Sequence, residues 1–248
     1  MTQLSAADTV VAVDRTIHDV GSAWMLDKET AVRGAELGFD KGLPFYFAGR
    51  GGVLGDVDAD VICAAMGYWH PGMVRKMWDR GVAVAGAKEA SRRYMVACAQ
   101  WADSHLAGLE HADRLAELAG KIVSGADVGG LSLFAGWRTA PLADGGPARV
   151  LQLIHVLREW RGAMHLAATT AAGLRPLEAI LTNEGTDQAR FFGWRDELPD
   201  CSHLVDRQAR AQEMTDQQAA AGYEATLTAE ERAEFAELMA GLGKRVLG

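Results

Sequence analysis

The residues best suited to chemistry lie in one stretch, residues 151–166, which reads LQLIHVLREWRGAMHL. Its apolar residues have the spacing of a buried helix. The stretch nevertheless carries five ionisable side chains: His155, Arg158, Glu159, Arg161 and His165. At about 100° per residue, all of these except Arg161 fall within an arc of about 120° around a helix. Because an isolated buried charge is costly, such a polar face requires partners.

Several kinds of chemistry fit this polar face. Glu159 with His155 or His165 could exchange protons as a general acid–base pair. Arg158 could hold an anionic group such as a carboxylate. His155 and Glu159 would start a zinc or iron site, but no HExxH motif or paired Glu-x-x-His completes it, so no metal site is predicted. Two other interpretations stay open: a structural salt-bridge network that ties the helix to its neighbours, and a solvated outer face.

Four residues elsewhere are candidates to face the same site. Arg50 lies in a glycine-rich stretch, residues 49–55, which lacks the preceding strand of a dinucleotide fold and the Gly-Lys-Ser/Thr of a P-loop. We interpret this stretch as a tight turn between helices, with Arg50 in either an anion-binding or a structural role. Tyr46 precedes it. His70 stands at a helix break and His18 in the first helix, and each could equally be a satisfied core histidine.

The elements that must position these residues are predicted to be helices, because no segment of strand length alternates apolar and polar residues. Of the two glycine- and proline-rich stretches, residues 42–60 are expected to form a loop or a broken helix start, and residues 124–147 a connection. The tripeptide FAG at residues 47–49 recurs at 134–136, about 87 residues later, and indicates an internal repeat, with chance similarity as the alternative. Two related helical halves would then pack around a pseudo-twofold axis, and their long, histidine-bearing helices would meet at the centre.

We therefore predict an all-α fold, a multi-helix bundle with two regions. Residues 1–175 would form a helical domain with a central polar pocket, and residues 176–248 a small C-terminal helical region. Within the second region, ILTNEGTDQARFFGW resembles a short helix-turn-helix. Its second helix carries one arginine, Arg190, with Arg195 beyond it, and acidic residues follow. That composition is poor for a helix that faces phosphates.

Composition narrows the class of protein. The 248 residues are 49% hydrophobic and 23% charged, which is ample material for a core. The net charge of −8 argues against a nucleic-acid surface spread over the whole protein, although a local basic patch stays open. Three widely spaced cysteines form no disulfide framework and no CxxC pair, which favours a reducing, cytoplasmic setting. The N-terminus lacks the features of a signal peptide, and no apolar run approaches the ~20 residues of a membrane span.

Several stretches also resemble an actinobacterial family of all-helical proteins that carries a helix-turn-helix-like, winged-helix label rather than an activity. The matching segments are Phe45-Tyr46-Phe47-Ala48-Gly49-Arg50 with Leu54-Gly55, His70-Pro71, Leu133-Phe134-Ala135, Leu157-Arg158-Glu159 with Arg161-Gly162 and His165, Gly193-Trp194, and His18. Two departures stand out. The family usually has a His at the position of Trp160 and Asp-Gly at Ala163-Met164. The segment after Trp194, where the family resembles a winged helix, is shortened, which implies a degenerate C-terminal wing.

These observations favour a small-molecule-binding protein, with catalysis left open and no cofactor indicated. Its expected ligand is anionic and would lie in a pocket lined by the polar helix. Glu159, His155 and His165 would be the catalytic residues if a reaction occurs. The substrate-binding residues would be Arg158, Arg50, Tyr46, Arg161, His70 and His18. The alternatives are a ligand-responsive transcriptional regulator with a reduced DNA-binding region and a structural or partner-binding protein. No membrane partner is expected, nucleic acid is disfavoured, and a homodimer is compatible with the sequence.

Overall fold

A computed structural model describes residues 3–248, and all regular structure in that range is helical, which confirms the predicted all-α class. The first half contains α1 Ala6–Ala23, α2 Lys28–Glu36, α3 Pro44–Gly51, α4 Ala59–Met66, α5 Pro71–Ala85 and α6 Ala87–His105. The remainder contains α7 Ala112–Gly125, α8 Ser132–Trp137, α9 Gly146–Ala171, α10 Pro176–Asn183, α11 Thr186–Phe191, α12 Val205–Thr226 and α13 Ala229–Leu247. Short 3-10 turns follow α3 and precede α12.

The longest helix, α9, forms the centre of the molecule. Helices α1, α6, α7, α8 and α12 all pack against it. Leu151, Ile154, Val156 and Leu157 point in different directions around this helix, and each is 0% exposed. A helix surrounded by others needs apolar residues on every side, which explains why this stretch lacks a single apolar stripe. Any charged residue on α9 must therefore find its partners inside the protein.

The order of the helices supports the predicted internal repeat. Helices α1, α2 and α3 are followed roughly 80–90 residues later by α6, α7 and α8, as expected for a duplicated unit. At the same spacing, α4 together with α5 corresponds to the single helix α9. The FAG tripeptide lies in α3 in the first half and in α8 in the second. The two halves differ at one point. In the first half the chain leaves the helix between α4 and α5, whereas in the second half α9 continues without a break.

This interruption, which we call the α4–α5 break, spans residues 67–70. Gly67 adopts a φ of 64°, and a Cβ there would lie 2.5 Å from Cδ1 of Leu166 on α9. Glycine is therefore needed both for the left-handed backbone and for the close approach to α9. Pro71 then occupies the first turn of α5, where a missing N–H carries no cost.

Both glycine- and proline-rich stretches contain a helix, which agrees with the broken-helix alternative for residues 42–60 and corrects the prediction of a simple connection for residues 124–147. They contain α3 and α8, and the tight-turn interpretation of residues 49–55 is wrong because α3 continues to Gly51. The glycines instead allow helices to pack closely. A Cβ at Gly49 would lie 2.5 Å from Cγ of Tyr94, and one at Gly52 would lie 2.1 Å from the carbonyl oxygen of Ala87.

The two C-terminal helices share the main core. Tyr223 of α12 and Phe235, Met239 and Leu242 of α13 are buried in the same hydrophobic cluster as α1–α9. A smaller cluster forms around α10 and the start of α12. The division of the chain at residue 175 stays a prediction. Within the described residues, no helix is both long enough and apolar enough to cross a membrane.

Candidate functional site

The centre of the protein is occupied by an ion pair between α3 and α9. Nε of Arg50 donates to Oε1 of Glu159 at 2.8 Å, and Nη2 donates to Oε2 at 2.8 Å. The Glu159 side chain is 1% exposed and that of Arg50 10% exposed. Two parallel hydrogen bonds between a guanidinium and a carboxylate give the pair a fixed geometry. The sequence-predicted residues Arg50 and Glu159 therefore meet, but they bind each other.

Two further predicted residues complete this group, which we call the central charge cluster: Tyr46, Arg50, Arg158 and Glu159. Nη1 of Arg50 donates to the Tyr46 hydroxyl at 2.7 Å, one helical turn away on α3. Nη1 of Arg158 donates to Oε1 of Glu159 at 3.2 Å. The sulfur of Met66, at the end of α4, lies 3.3 Å from Nη1 of Arg50. Sequence reasoning missed Met66, because a methionine on an apolar helix face carries no signal of a polar contact.

The electrostatics keep Glu159 ionised. Burial alone would raise the pKa of the Glu159 carboxyl, but the charge and hydrogen bonds of Arg50 and the charge of Arg158 outweigh it and lower the pKa to about 2. The reverse effect raises the pKa of Arg50. Both carboxylate oxygens accept from arginines, so neither is available to a substrate. This geometry favours the structural-network interpretation of the polar face over acid–base catalysis by Glu159.

His155 lies beside this cluster in an aromatic cage. Its ring is 0% exposed and packs edge-on against Trp24 and Trp137, with ring centroids 5.4 and 4.8 Å away. Burial lowers the pKa of His155 to about 4, against the opposing charge of Glu159, so the imidazole is neutral near pH 7. Neither ring nitrogen has a hydrogen-bond partner among the described residues, although the nearby Gly21 backbone weakly favours the protonated form. The sequence did not identify Trp24 and Trp137 as neighbours of His155, although the predicted internal repeat aligns Trp137 with Arg50.

Arg161 and His165 are directed away from the central charge cluster. Arg161 pairs with Asp14 of α1. Nδ1 of His165 lies 3.0 Å from the Thr215 hydroxyl of α12. Burial and the charge of Arg161 lower the pKa of His165 to about 4. The two residues thus join α9 to α1 and α12, and they do not line one site with Glu159.

The two remaining predicted residues also lie elsewhere. His70 caps α5, because its Nδ1 accepts from the backbone N–H of Gly72 at 3.1 Å, and its ring packs against Trp194 at 5.0 Å. His18 is more than half exposed and pairs with Asp19 on the surface of α1. No group of three or more histidine, cysteine, aspartate or glutamate side chains in residues 3–248 is arranged to hold a metal ion.

A helix-turn-helix unit lies beside the α4–α5 break. It consists of α10 and α11, which pack together, and Gly185 between them has a φ of 85°, a conformation that favours glycine. The break leaves backbone groups that need partners. The N–H of His70 donates to the Phe192 carbonyl at 2.9 Å, and Nε1 of Trp194 donates to the Tyr68 carbonyl at 2.9 Å. The break and the segment that follows α11 therefore satisfy each other.

The helix-turn-helix unit is also electrostatically close to the centre. Partial burial raises the pKa of Glu184, which lies with Gly185 between α10 and α11. The nearby His18 and Arg158 act in the opposite direction. Trp69 of the α4–α5 break packs on Phe192 at 4.6 Å and on Tyr46 of the central charge cluster at 5.5 Å. The position of this unit is thus tied to the packing of the core.

The outer face of the helix-turn-helix unit is acidic. Residues 176–200 contain six carboxylate side chains and two arginines. Asp187, Asp196 and Glu197 are exposed, as is Arg195, and the Phe191 side chain is 48% exposed. Glu178 is ion-paired with Arg175 at the start of α10. The guanidinium of Arg190 donates to the Trp194 and Asp196 carbonyls, so it is engaged in holding the chain after α11. A face of this charge repels a phosphate backbone.

Two histidines of α9, the buried His155 and the partly buried His165, predict a pH dependence of stability. Their folded pKa of about 4 lies below the unfolded value of 6.5, so the unfolded chain binds more protons between these pH values. Stability should fall as the pH drops from 7 to 5, by roughly 2 kcal/mol for each histidine. Urea unfolding of His165→Gln at both pH values should show a smaller loss than the wild type. Replacing the exposed His203 with Gln should leave the loss unchanged, and an equal loss in His165→Gln would refute the assignment.

A protein-family model described as a helix-turn-helix family matches residues 10–208. No curated protein matches, and no solved structure matches. The matched range covers most of the chain, from α1 through the central charge cluster to the start of α12. The helix-turn-helix unit and the helices that position it therefore fall within one family match.

Proposed function

Because the chain belongs to the helix-turn-helix family, we propose that it is a regulatory protein whose α10–α11 unit is the interaction element and whose helical body sets the position of that element. The observation that carries the proposal is the docking of this unit on the α4–α5 break. The two hydrogen bonds and the Trp69–Phe192 contact described above join a surface motif directly to the buried core. A change in the core at Tyr46 or Met66 would therefore reach the surface motif through residues 67–70.

The central charge cluster supports a regulatory role for the body better than a catalytic one. An acid–base catalyst must reach its substrate and change its protonation state near the working pH. Glu159 is buried and its carboxylate is held by two arginines, while the neutral His155 is enclosed by tryptophans. Both groups stabilise one packing of α3, α9 and their neighbours. We therefore assign them to the framework that holds the helix-turn-helix unit.

The charge of the outer face indicates what the helix-turn-helix unit binds. Exposed carboxylates and a half-exposed phenylalanine, Phe191, in the same segment complement a cationic protein surface that offers an apolar contact. Interfaces of this kind place an aromatic residue at the centre and charges at the rim. We propose a basic protein partner for this face. Duplex DNA is the second candidate, and family membership is the observation that favours it.

One crossed experiment separates the two partners. The wild type and a variant carrying Asp187→Lys, Asp196→Lys and Glu197→Lys are each titrated with two probes at about 50 mM salt, where phosphate-dependent binding is strong. The probes are a Lys/Arg-rich amphipathic peptide and a fluorescent 20-base-pair duplex. The wild type should bind the peptide and leave the duplex free. The variant should lose at least tenfold in peptide affinity and should gain salt-sensitive duplex binding.

The controls make the outcome decisive. A Glu-rich peptide of equal length should not bind the wild type. Phe191→Ala should weaken binding of the cationic peptide and should not create binding to DNA. If the wild type bound the duplex with a steep salt dependence, DNA and not a basic protein would be the partner. Failure of the wild type to bind either probe would remove the helix-turn-helix unit as the interaction element.

A further inference from the structure

A methionine lies in the joint between the helical body and the segment that follows α11. Met73 belongs to the first turn of α5, where its N–H donates to the His70 carbonyl at 2.9 Å. Its side chain lies against Gly193. A Cβ on Gly193 would lie 2.7 Å from Cε and 3.1 Å from Sδ of Met73. The contact therefore joins a thioether to bare backbone, with no room for a side chain between them.

Gly193 stands between the two residues that anchor this segment. Phe192 and Trp194 make the two hydrogen bonds to the α4–α5 break described above. Gly193 itself is buried and adopts a φ of 91°, and its N–H donates to the Arg190 carbonyl at 3.1 Å. The backbone at this point is thus fixed on both sides. A change in the size or polarity of Met73 must therefore act on both anchors at once.

Met73 is also among the methionines that solvent can reach. In residues 3–248 the partly exposed methionines are Met73, Met77 and Met214. The other five are at most 4% exposed: Met25, Met66, Met95, Met164 and Met239. A thioether is oxidised to a sulfoxide by peroxide, and the product is polar where the methionine was apolar. Exposure therefore separates three oxidisable methionines from five protected ones.

Oxidation of Met73 would place a polar oxygen in this joint. A lone pair of the sulfur attacks one oxygen of hydrogen peroxide, and the S–O bond forms as the O–O bond breaks. The sulfur is oxidised by two electrons, and the other peroxide oxygen leaves as water with both protons. The new oxygen requires a hydrogen-bond donor, but the N–H groups of Gly193 and of the Trp194 indole already have acceptors. The sulfoxide is therefore both larger and poorer in partners than the thioether.

From this contact we propose that Met73 is an oxidation site and that its sulfoxide loosens the docking of the segment after α11 on the α4–α5 break. Because methionine sulfoxide can be reduced enzymatically, the change is reversible. The joint is then a redox-sensitive control on the position of the helix-turn-helix unit. The loosening rests on the contacts of Met73 and Gly193 alone. Only its effect on partner binding rests on the function proposed above.

Hydrogen exchange after peroxide treatment tests the loosening. The variant Met77→Leu with Met214→Leu removes the other two partly exposed methionines, and peptide mass mapping follows oxygen addition. Met73 should be oxidised at least tenfold faster than the five buried methionines. The Trp194 indole N–H, whose NMR signal is identified by its loss in Trp194→Phe, should then exchange at least tenfold faster than in the untreated protein, as should the His70 amide.

Two substitutions at the site are the controls. Met73→Leu has similar volume and cannot form a sulfoxide, so peroxide should leave its exchange slow. Met73→Gln places a polar group there without peroxide and should exchange as fast as the oxidised protein. Unchanged exchange after complete oxidation of Met73 would overturn the proposal, and so would an equal acceleration in Met73→Leu. The oxidation itself is measured on a protein that keeps Met73, so it does not depend on the folding of these two variants.

Partner binding gives a separate readout. The oxidised protein should bind the Lys/Arg-rich peptide at least threefold more weakly, because the framework that holds Phe191 is less ordered before binding. If the peptide binds neither form, the function proposed for the helix-turn-helix unit is wrong, while the exchange rates still decide the role of Met73. If the peptide binds both forms equally and exchange is unchanged, Met73 is not a switch.

Discussion

Replacing Glu159 with Gln should lower the free energy of unfolding by roughly 3–5 kcal/mol, because it leaves buried guanidinium groups without a counter-charge. Arg50 is almost fully buried and cannot reach water, and Arg158 is held against the same carboxylate. The neutral amide keeps only one of the two acceptor oxygens, and its NH2 group is a donor placed against the donors of a guanidinium. Urea unfolding at pH 7, followed by circular dichroism and by tryptophan fluorescence, measures the loss.

The control for this variant is Glu36→Gln, which breaks the exposed pair with Arg33 and should cost less than about 1 kcal/mol. A second control removes both partners. Arg50→Met with Glu159→Leu should recover the part of the loss that comes from Arg50, because well-packed apolar residues avoid the desolvation cost of that charge, while Arg158 still lacks its carboxylate. If Glu159→Gln unfolds within about 1 kcal/mol of the wild type, the central charge cluster is not a structural network and the pocket interpretation returns.

The pH dependence of this difference gives an independent test. The pKa of Glu159 is about 2 in the folded protein and 4.5 in the unfolded chain, so its contribution to stability is complete above pH 4.5. It is lost as the pH falls from 4.5 towards 2, where the folded carboxyl also takes up a proton. The stability difference between wild type and Glu159→Gln should therefore be constant between pH 5 and 8 and should shrink below pH 4.5.

Replacing Gly52 with Ala should be about as severe, with a loss of roughly 3 kcal/mol or more, because the added methyl overlaps backbone atoms that cannot rotate away. The Cβ would lie 2.1 Å from the carbonyl oxygen of Ala87 and 2.9 Å from its carbonyl carbon. Relief would require α6 to move away from α3, and this movement would disturb the packing that carries Arg50. The measurement is the urea midpoint at pH 7.

The matched control is Gly120→Ala in α7. A Cβ at Gly120 would have no atom within 4 Å, and the residue lies inside a helix. The same substitution there should stabilise the protein by about 0.5–1 kcal/mol, because alanine loses less backbone entropy on folding. If the two substitutions changed the stability equally and only slightly, α3 and α6 would have room for a methyl group between them. That result would contradict the close approach inferred for the glycine-rich stretch.

The sequence by itself determined the helical class, because the spacing of apolar residues follows the helical period and depends only on local order. It also identified α9 as the helix with buried charges, since five ionisable side chains among apolar residues are visible without a structure. The recurrence of FAG predicts that α3 and α8 occupy equivalent places in two similar halves, and the order of the helices is compatible with this prediction.

Only the tertiary structure decided how the polar residues are paired. Residues that share one face of a helix predict a common site. Helix α9, however, is surrounded by other helices, and each neighbour contacts the polar side chain that it faces. Arg50 from α3 forms an ion pair with Glu159, and Asp14 from α1 forms one with Arg161. Thr215 from α12 forms a hydrogen bond with His165. These contacts join residues far apart in the chain, so no local pattern encodes them. The polar residues of α9 are thereby divided among separate structural contacts.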